Sequence, residues 1–338
     1  IAYISTDNRA LIDLTGSAVS ATGTISVNAG RDGLAGTGAY DSTASVDVTT
    51  ATVGSAAVSI NVALTINQAG NRALVQGSSG TLSAGTLAIY AKGTSQAPTT
   101  IRGINAGGLN IAMSIAVALL KSWQEASLSG SGTVTVGTLT VESYQNTGKA
   151  SDTYDAKANV FSGGGGLLSA TAFIAIVRAD ATGKASAASA SLTVNGTITI
   201  QSYGRSNAGV FISKAEISAL SIGIMYGNAY AKGTFGAYLG SASANIHANG
   251  ITIYTEYSAY AKADVNPATG GFNISYASAT GNVGQAKVQT VAEAAIIGNG
   301  TVTSSGAISV KVHGTVSAYA VVHTATVSVS AYKITINV

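Results

Sequence analysis

Glycine and aspartate cluster early in the chain in a pattern that could bind a phosphate or a metal ion. The stretch GRDGLAGTG spans residues 30–38, but no helical pattern follows it, so no helix N-terminus would be available to hold a phosphate. Asp32, Asp41 and Asp47 could offer oxygen ligands to calcium, yet the glycine-aspartate nonapeptide of calcium-binding β-rolls is missing. We therefore predict a corner between strands here, without a metal or a nucleotide.

Other side chains that could perform catalysis are scattered along the chain. Asp152 and Asp155 are three residues apart in a strand-like stretch, which directs them to opposite faces, whereas a glycosidase needs two carboxylates around one bond. His247, His313 and His323 stand alone, and no Ser/His/Asp order with a nucleophile elbow accompanies them. The sequence predicts no catalytic residue, no metal ligand and no cofactor, and hence a protein that is not an enzyme.

The amino-acid composition predicts a surface with unusually few charges. Of 338 residues, 46% are hydrophobic and only 9% are charged, and the net charge of +3 is spread without basic runs, so we expect no nucleic-acid partner. Large apolar side chains are scarce beside 41 glycines, which predicts a thin core. Cysteine is absent, which excludes a disulfide framework and a thiolate metal site and permits an extracellular location.

The longest apolar runs are too short to cross a membrane. LNIAMSIAVALL begins at Leu109 and GLLSATAFIAIV at Gly166, and each falls below the roughly 20 residues that a membrane-spanning helix needs. We interpret both runs as core segments. The opening stretch IAYISTDNRA has no basic region before an apolar one, so a signal peptide either has been removed or belongs to a longer chain.

One short phrase recurs six times, about 57 residues apart, as in GTLTVESY at Gly137 and GTITIQSY at Gly196. In every copy, two large aliphatic residues flank a small, mostly polar one. This period-two pattern is typical of a strand with one buried side and one side that faces solvent. The aliphatic pairs, which we predict to form a core ladder, are Ile25 and Val27, Leu87 and Ile89, Leu139 and Val141, Ile198 and Ile200, Ile251 and Ile253, and Ile308 and Val310.

A repeat of this length indicates units that bury their apolar faces by stacking on one another. The stretch with the most helical character, VQTVAEAAIIG from Val288, fits a strand equally well. Separate small sandwiches would need larger cores and visible linkers. The sequence therefore predicts an all-β fold, a flattened β-solenoid of about five to six irregular coils of about 57 residues, spanning 1–338 as a single unit without internal domain boundaries.

The succession of a GTLTVESY-type strand, an Ala/Ser-rich stretch, a Gly-rich corner such as SGGGGLL, an SATAFIAIV-type strand and ASASLTVNG resembles the repeat regions of large bacterial filamentous adhesins, particularly leukotoxin-like filamentous adhesins and related giant exoproteins. The resemblance covers essentially the whole chain. It implies a secreted or surface-borne β-solenoid that acts as a long extracellular stalk or fibre, and it carries over no catalytic residue.

Three hypotheses about function follow: a structural segment of an extracellular fibre, an adhesin domain that binds a glycan or a host surface, and a β-helix enzyme acting on polysaccharides. The enzyme would need charged residues clustered on one wall, and the sequence offers no such cluster. The adhesin could use outward hydroxyl and phenol groups. These residues are Thr138, Thr140, Thr197, Thr199, Thr252, Tyr90, Tyr144, Tyr203 and Tyr254.

Both termini read as strands with few charges and no proline: IAYIST at the start and AYKITINV at the end. Exposed strand edges of this kind pair with further strands unless they are protected. We therefore predict assembly edges at Ile1, Tyr3, Ile4, Ile334 and Ile336, where further copies or adjoining segments of a longer chain stack end to end.

Overall fold

A computed structural model describes residues 1–30, 40–148, 153–240, 245–265, 273–323 and 332–337. These residues form fifteen strands and no helix, and all the strands belong to one hydrogen-bonded sheet. The strands are β1 Ala2–Asp13, β2 Ala18–Ala29, β3 Tyr40–Thr43, β4 Val46–Val53, β5 Ala56–Gly77, β6 Thr81–Ala106, β7 Leu109–Gln145, β8 Ala156–Val194, β9 Thr197–Leu239, β10 Asn245–Ala248, β11 Gly250–Val265, β12 Asn273–Ile296, β13 Thr301–Ser304, β14 Ile308–Val322 and β15 Tyr332–Asn337.

Every pair of neighbouring strands among the described residues is parallel, and each turn of the chain stacks on the turn before it. The hydrogen-bond register aligns the starts of successive turns. Ala56 pairs with Leu109, Leu109 with Leu168, Leu168 with Leu220, Leu220 with Ala277, and Ala277 with Tyr332. The predicted fold class, an all-β flattened β-solenoid, is confirmed.

Each turn is flat because its two halves face each other. Thr65 donates to the carbonyl of Pro98 at 3.1 Å, and Asn67 donates to the carbonyl of Gln96 at 2.8 Å, so one half runs back along the other. We call the half built from β1, β5, β15 and residues 109–130, 168–189, 220–239 and 277–296 the first wall. The opposite half, built from β2, β3, β4, β6, β10, β11, β13, β14 and residues 133–145, 156–166, 191–194, 197–218 and 273–275, is the second wall.

The corner between the walls needs glycine where the turns are most crowded. Gly130 has φ +121°, and a Cβ there would lie 2.0 Å from the carbonyl oxygen of Gly77 in the preceding turn. An L side chain is excluded on both grounds, the backbone conformation and the contact. Small residues therefore recur at this corner in successive turns, even where the residues of the adjoining strands differ from turn to turn.

The interior contains two apolar clusters between the walls. The first surrounds the repeated phrase and includes Leu82, Leu128 and Leu192, and the second includes Phe173 and Ile101. Buried Asn, Gln, Ser and Thr side chains fill other parts of the interior, where they bond to one another and to backbone carbonyls of the opposite wall. Buried polar groups need such partners to offset their desolvation.

The aliphatic pairs of the repeated phrase stack in two columns that run through all the turns. The pairs from Leu87 to Ile253 are buried, Val27 is buried and Ile25 is half-buried. Ile308 and Val310 differ from the core position we predicted, because they are 49% and 42% exposed. They belong to β14, and no described strand stacks on its far side, so these side chains lack the covering turn that buries the others.

The interpretation of the longest apolar runs as core segments is confirmed for Leu120, Phe173 and Val177, which are buried, whereas most of the other large residues of the two runs point outward. In the run from Leu109, Asn110 and Ala112 point inward and are buried, whereas Leu109 and Ile111 point outward and are 39% and 40% exposed. The aligned outward positions of the turns above and below are also aliphatic. We call the outward residues of 56–64, 109–117, 168–176 and 220–224 the apolar face; every one of them is Ala, Val, Ile, Leu or Met.

The predicted assembly edges lie at β1, which Ile1 immediately precedes, and in β15, the end strands of the first wall among the described residues. Ile1 and Tyr3 are 88% and 59% exposed, and Ile4 is half-buried. The backbone of β15 places Ile334 opposite Ala279 and Ile336 opposite Gly281; the side chains of Ile334 and Ile336 lie outside the described residues. No helix capable of spanning a membrane occurs in the described ranges.

Candidate functional site

The outer surface of the second wall carries tyrosines and carboxylates at alternate residues. In β7, Leu139 and Val141 are fully buried between the walls, so Glu142 and Tyr144 point outward. The register repeats this arrangement in the next three strands. In stacking order, the outward residues are Glu142, Gln201, Tyr254 and Lys311 in one column and Tyr144, Tyr203, Glu256 and His313 in the next, and we call these residues the tyrosine face.

Three tyrosine rings of this face form a continuous aromatic strip. Tyr144 and Tyr203 are stacked, with ring centroids 5.0 Å apart and planes 5° apart. Tyr203 meets Tyr254 edge-on, with centroids 5.8 Å apart and an interplanar angle of 65°. The spacing follows from the fold, because strands of neighbouring turns lie about 4.8 Å apart, which suits ring stacking.

Each hydroxyl of the strip donates a hydrogen bond to a side chain two residues away on the same strand. This is possible because alternate residues of a strand share one face. The bonded carboxylates and amide hold the rings in fixed orientations. The bonds are Tyr144 to Glu142 at 2.6 Å, Tyr203 to Gln201 at 3.0 Å and Tyr254 to Glu256 at 3.0 Å.

These surroundings keep the phenols protonated. Burial raises the pKa of Tyr144 far above its usual range, and the hydrogen bond to Glu142 adds to the rise. Burial and nearby carboxylates also raise the pKa of Tyr203, and desolvation followed by the bond to Glu256 raises that of Tyr254. The strip therefore offers neutral rings and hydroxyl groups rather than phenolate nucleophiles.

Small hydroxylated residues between the outward positions tie this wall to the first wall. Ser143, Ser202 and Thr255 point inward and are fully buried. Each donates to a backbone carbonyl of the opposite wall, so the strand beneath the tyrosine face is held at a fixed depth. The acceptors are Gln124 at 3.1 Å, Gly183 at 3.1 Å and Glu293 at 2.7 Å.

A cavity of about 400 Å³ adjoins the strip. Tyr203, Glu256 and His313 are among its lining residues, and the His313 Nδ1 atom lies 3.9 Å from a Glu256 carboxylate oxygen. Asn146 also lines the cavity; its φ is 56°, and its side-chain oxygen accepts from the Ser95 amide at 2.7 Å. The cavity thus combines an aromatic ring with donors and acceptors, as sites for polar organic ligands do.

Two buried ion pairs were not predicted from the sequence. Arg205, which also lines the cavity, donates to Asp155 at 2.8 Å, and Asp155 accepts a second bond from the backbone amide of Asn207 at 2.8 Å. The second pair joins Lys214 to Glu216 on the same strand. Burial lowers the pKa of Lys214, and the neighbouring Glu216 opposes that effect.

A second cavity, of about 470 Å³, lies on the first wall near the corners. Small residues such as Ser127, Ser186 and Gly236 make up most of its lining, together with Tyr238 and Lys184. The Tyr238 hydroxyl donates to a Glu293 carboxylate oxygen at 3.2 Å. Its lining has fewer aromatic and ionic groups than that of the cavity beside the tyrosine face, which is therefore the stronger candidate.

The outward threonines of the repeated phrase lie beside the tyrosine face on the same wall. Thr140, Thr199 and Thr252 stack in register and are half-buried, and Thr138 and Thr197 lie two residues earlier in their strands. Tyr90 pairs in register with Glu142 and extends the face by one turn. The second wall therefore presents hydroxyls, phenols and carboxylates side by side.

The isolated acids and histidines that the sequence analysis considered do not lie together at one site among the described residues. Asp47 forms an exposed ion pair with Arg102 at 2.8 Å, and His247 is exposed on β10. His323 follows β14, 4.0 Å from Asp264. Asp32, Asp152 and most of the glycine-rich stretch lie outside the described residues. Within the described ranges, no three His, Asp or Glu residues converge on a possible metal position.

Comparisons of the chain with protein-family models, with curated proteins and with solved structures find no match. The resemblance to filamentous adhesins therefore remains a prediction from the sequence, and the candidate site is interpreted from its own geometry.

Sequence reasoning identified the tyrosines of this face but missed the acids and the amide that bond to them. The signal was present in the repeated phrase, because Glu142-Ser-Tyr144 and Gln201-Ser-Tyr203 share one spacing. A polar residue and a tyrosine two apart on a strand must lie side by side on one face. His313 could be found only by aligning the last copy, GAISVKVHG, with the earlier ones.

Proposed function

We propose that this chain is a structural segment of an extracellular bacterial fibre or stalk that extends by stacking strand on strand. One observation carries the proposal: parallel pairing in a steady register runs through the turns that start at residues 56, 109, 168, 220 and 277. The hydrogen bonds of this sheet all run along the stacking axis, which is the direction in which a fibre bears tension.

Elongation uses the same contacts as the interior of the stack. A further turn adds about 4.8 Å to the axis and pairs backbone groups that an end strand leaves open. Among the described strands, β1 pairs with β5 alone and β15 with β12 alone. A second copy, or an adjoining segment of a longer chain, would continue the ladder at these edges by strand addition.

The test blocks one edge and leaves the internal turns unchanged. Substituting proline at Ile334 and Ile336 removes two backbone donors from β15, so elongation at that edge should stop. The matched control is Thr199→Lys with Thr252→Lys, which alters the outer surface of internal turns. Light scattering and negative-stain microscopy would measure assembly, and circular dichroism would check the fold.

We expect the unmodified chain and the control to form elongated particles, and the proline variant to remain short with the same β content. An unmodified chain that remains a single stack at high concentration would refute axial assembly. Continued growth of the proline variant would also refute it.

A second candidate function is binding of a glycan at the tyrosine face. The cavity of about 400 Å³ beside the stacked rings of Tyr144 and Tyr203 favours it. Neutral rings can cover the apolar face of a sugar, and the carboxylate and amide groups can bond its hydroxyls. This role is compatible with a stalk that also carries a ligand.

Glycan-array screening followed by calorimetry would test the second candidate. Tyr203→Ala should abolish binding of any glycan found, whereas Tyr203→Phe should retain the stacking contribution. Tyr319→Ala is the matched control, since Tyr319 is 54% exposed on β14 away from the cavity lining. Equal binding by the Tyr203→Ala variant and the control would exclude this site.

A further inference from the structure

The apolar face places large aliphatic side chains on the outside of the first wall, opposite mostly small side chains within. Ile60, Ile222 and Ile224 are 65%, 52% and 57% exposed, whereas Ala63 and Ala112 are buried. A monomer gains little from this arrangement, because burial of an aliphatic side chain is the main favourable term in folding. Side chains of this kind gain stability when another surface covers them.

The face is continuous because the register aligns its outward residues across four turns. Val58 stacks on Ile111, Ile111 on Ala170, and Ala170 on Ile222. The columns on either side are likewise aliphatic, and none of the outward residues of 56–64, 109–117, 168–176 and 220–224 is charged or polar. Isolated exposed aliphatic residues are ordinary, but a contiguous patch without a polar member marks a contact surface.

The area of the face is sufficient for a stable dimer. Five outward positions along a strand span about 33 Å and four turns span about 19 Å, but the fourth turn supplies only three positions, because Tyr226 and Asn228 occupy the last two columns there, so the area is roughly 560 Å². Two such faces packed together remove roughly 1,100 Å² from water, above the roughly 1,000 Å² that a specific protein–protein interface needs. The face thus lies at the upper end of the range of about 300–600 Å² for the largest patch on an ordinary monomer.

We propose that the apolar face is a dimer interface, at which a second copy of this chain packs sheet to sheet about a two-fold axis. A sheet surface without charges fits a surface of the same kind, and paired sheets interdigitate about 10 Å apart. Immediately beyond the apolar columns the first wall carries both signs of charge, including Lys121, Glu125, Arg178 and Asp180. This mixed border favours a self-complementary protein partner over an anionic membrane surface.

The dimer is a four-layered sandwich with a tyrosine face on each outer side. Lateral pairing through the first wall leaves the strand edges of β1 and β15 open, so pairing across the stack and growth along it are separate. Each copy buries the apolar face of its first wall. The second wall, with Tyr203 and Glu256, remains accessible to ligands.

The test places charges on the face where they cannot disturb the interior. In the variant Ile60→Glu with Ile224→Glu, both side chains already point outward, so the solenoid should fold normally. The control, Thr199→Glu with Thr252→Glu, adds the same charge to the second wall. Analytical ultracentrifugation of the full chain in the Ile334→Pro/Ile336→Pro background would measure mass, since blocked edges separate the dimer from axial growth.

We expect a dimer for the blocked chain and for the control, and half that mass for the Ile60→Glu/Ile224→Glu variant with an unchanged circular dichroism spectrum. A dimer that survives both glutamates would overturn the proposal, and so would a monomer in the blocked chain. Association of the blocked chain with neutral phosphatidylcholine vesicles in place of a dimer would assign the face to lipid and would equally overturn it.

Because the chain contains no cysteine, thiol labelling gives an independent measurement that does not depend on folding of the charged variant. The thiol of an Ile222→Cys variant should be protected from a thiol reagent as protein concentration rises, since interface cores exclude solvent. The thiol of a Thr199→Cys variant should react at one rate throughout. Equal and concentration-independent labelling at both positions would contradict the interface.

Discussion

The aromatic ring of Phe235 lies directly over the backbone of Gly204 across the space between the two walls. A Cβ at position 204 would be 1.9 Å from a carbon of that ring, and Phe235 itself is only 1% exposed. Gly204 does not have a positive φ, so the glycine is needed for space and not for its backbone conformation. The distance between the walls is therefore set locally by pairs of one large and one minimal residue.

This contact predicts that Gly204→Ala is strongly destabilising. Overpacking of a well-filled interior costs about 1–3 kcal/mol, and Gly204→Val should cost more. Combining Gly204→Ala with Phe235→Leu should destabilise the chain less than the two single changes added together, because the smaller side chain makes room. Chemical denaturation of the four proteins would give the coupling free energy.

Gly281 provides the matched control for this experiment. It also lies within a strand, but no heavy atom lies within 4 Å of a Cβ built there. Gly281→Ala should be neutral or stabilising by a few tenths of a kcal/mol, since it restricts the unfolded chain without a clash. Similar losses at both glycines would show that the ring of Phe235 is not the cause.

The core ladder predicts opposite outcomes for neighbouring residues of β9. Ile198 and Ile200 are fully buried, so an aspartate at either position buries an uncompensated carboxylate at a cost of several kcal/mol. Thr199 between them points outward and is half-buried, so Thr199→Asp should change stability by less than about 1 kcal/mol. Thermal melts that are alike for all three variants would contradict the inward and outward assignment.

Period-two alternation predicted the strands and the ladder, because identical phrases must stack on one another. Alternation alone does not say which of its two faces lies inside. In β7 the buried residues around Leu139 are the large ones, whereas around Ile111 the buried residues are Asn110 and Ala112. Which side of a strand faces the interior depends on the space that the opposite wall leaves. Residues far away in the sequence determine that space.

The candidate site was only partly predictable for the same reason. The tyrosines could be placed on an outer face from their own strand. The Arg205–Asp155 contact joins residues 50 positions apart, and Asp155 lies just before β8, outside the strands that carry the repeat. No periodic feature of the sequence records that contact, because corners vary in length from turn to turn.

Loss of a carboxylate should reduce the free energy of unfolding by different amounts at a buried ion pair and at an exposed one. Asp155 and Arg205 have side chains 0% and 7% exposed, so Asp155→Asn should cost about 3–5 kcal/mol by removing the carboxylate beside a buried guanidinium. In the Asp47–Arg102 pair the side chains are more than half exposed, and Asp47→Asn should cost at most about 1 kcal/mol. Urea denaturation would measure both. Equal costs would show that burial does not control the contribution of these pairs.

The tyrosine face predicts a loss of stability in alkali. Tyr144, Tyr203 and Tyr254 have pKa values raised by burial and by neighbouring groups, so the folded chain holds phenol protons that the unfolded chain releases above pH of about 10. Where the unfolded state binds fewer protons, the free energy of unfolding falls as pH rises. Below that pH both states are protonated, and these groups contribute no slope.

Tyr144→Phe should reduce the alkaline fall, because Tyr144 has the largest rise of the three and phenylalanine has no proton to lose. Ultraviolet absorbance would follow phenol ionisation in the folded chain, and melts at a series of pH values would give the slope. Tyr319→Phe, at an exposed tyrosine of β14, is the control because it removes a phenol that lies outside the strip. If the phenols of the folded chain ionised together with those of the unfolded chain, the hydrogen-bonded strip would not exist in solution as described.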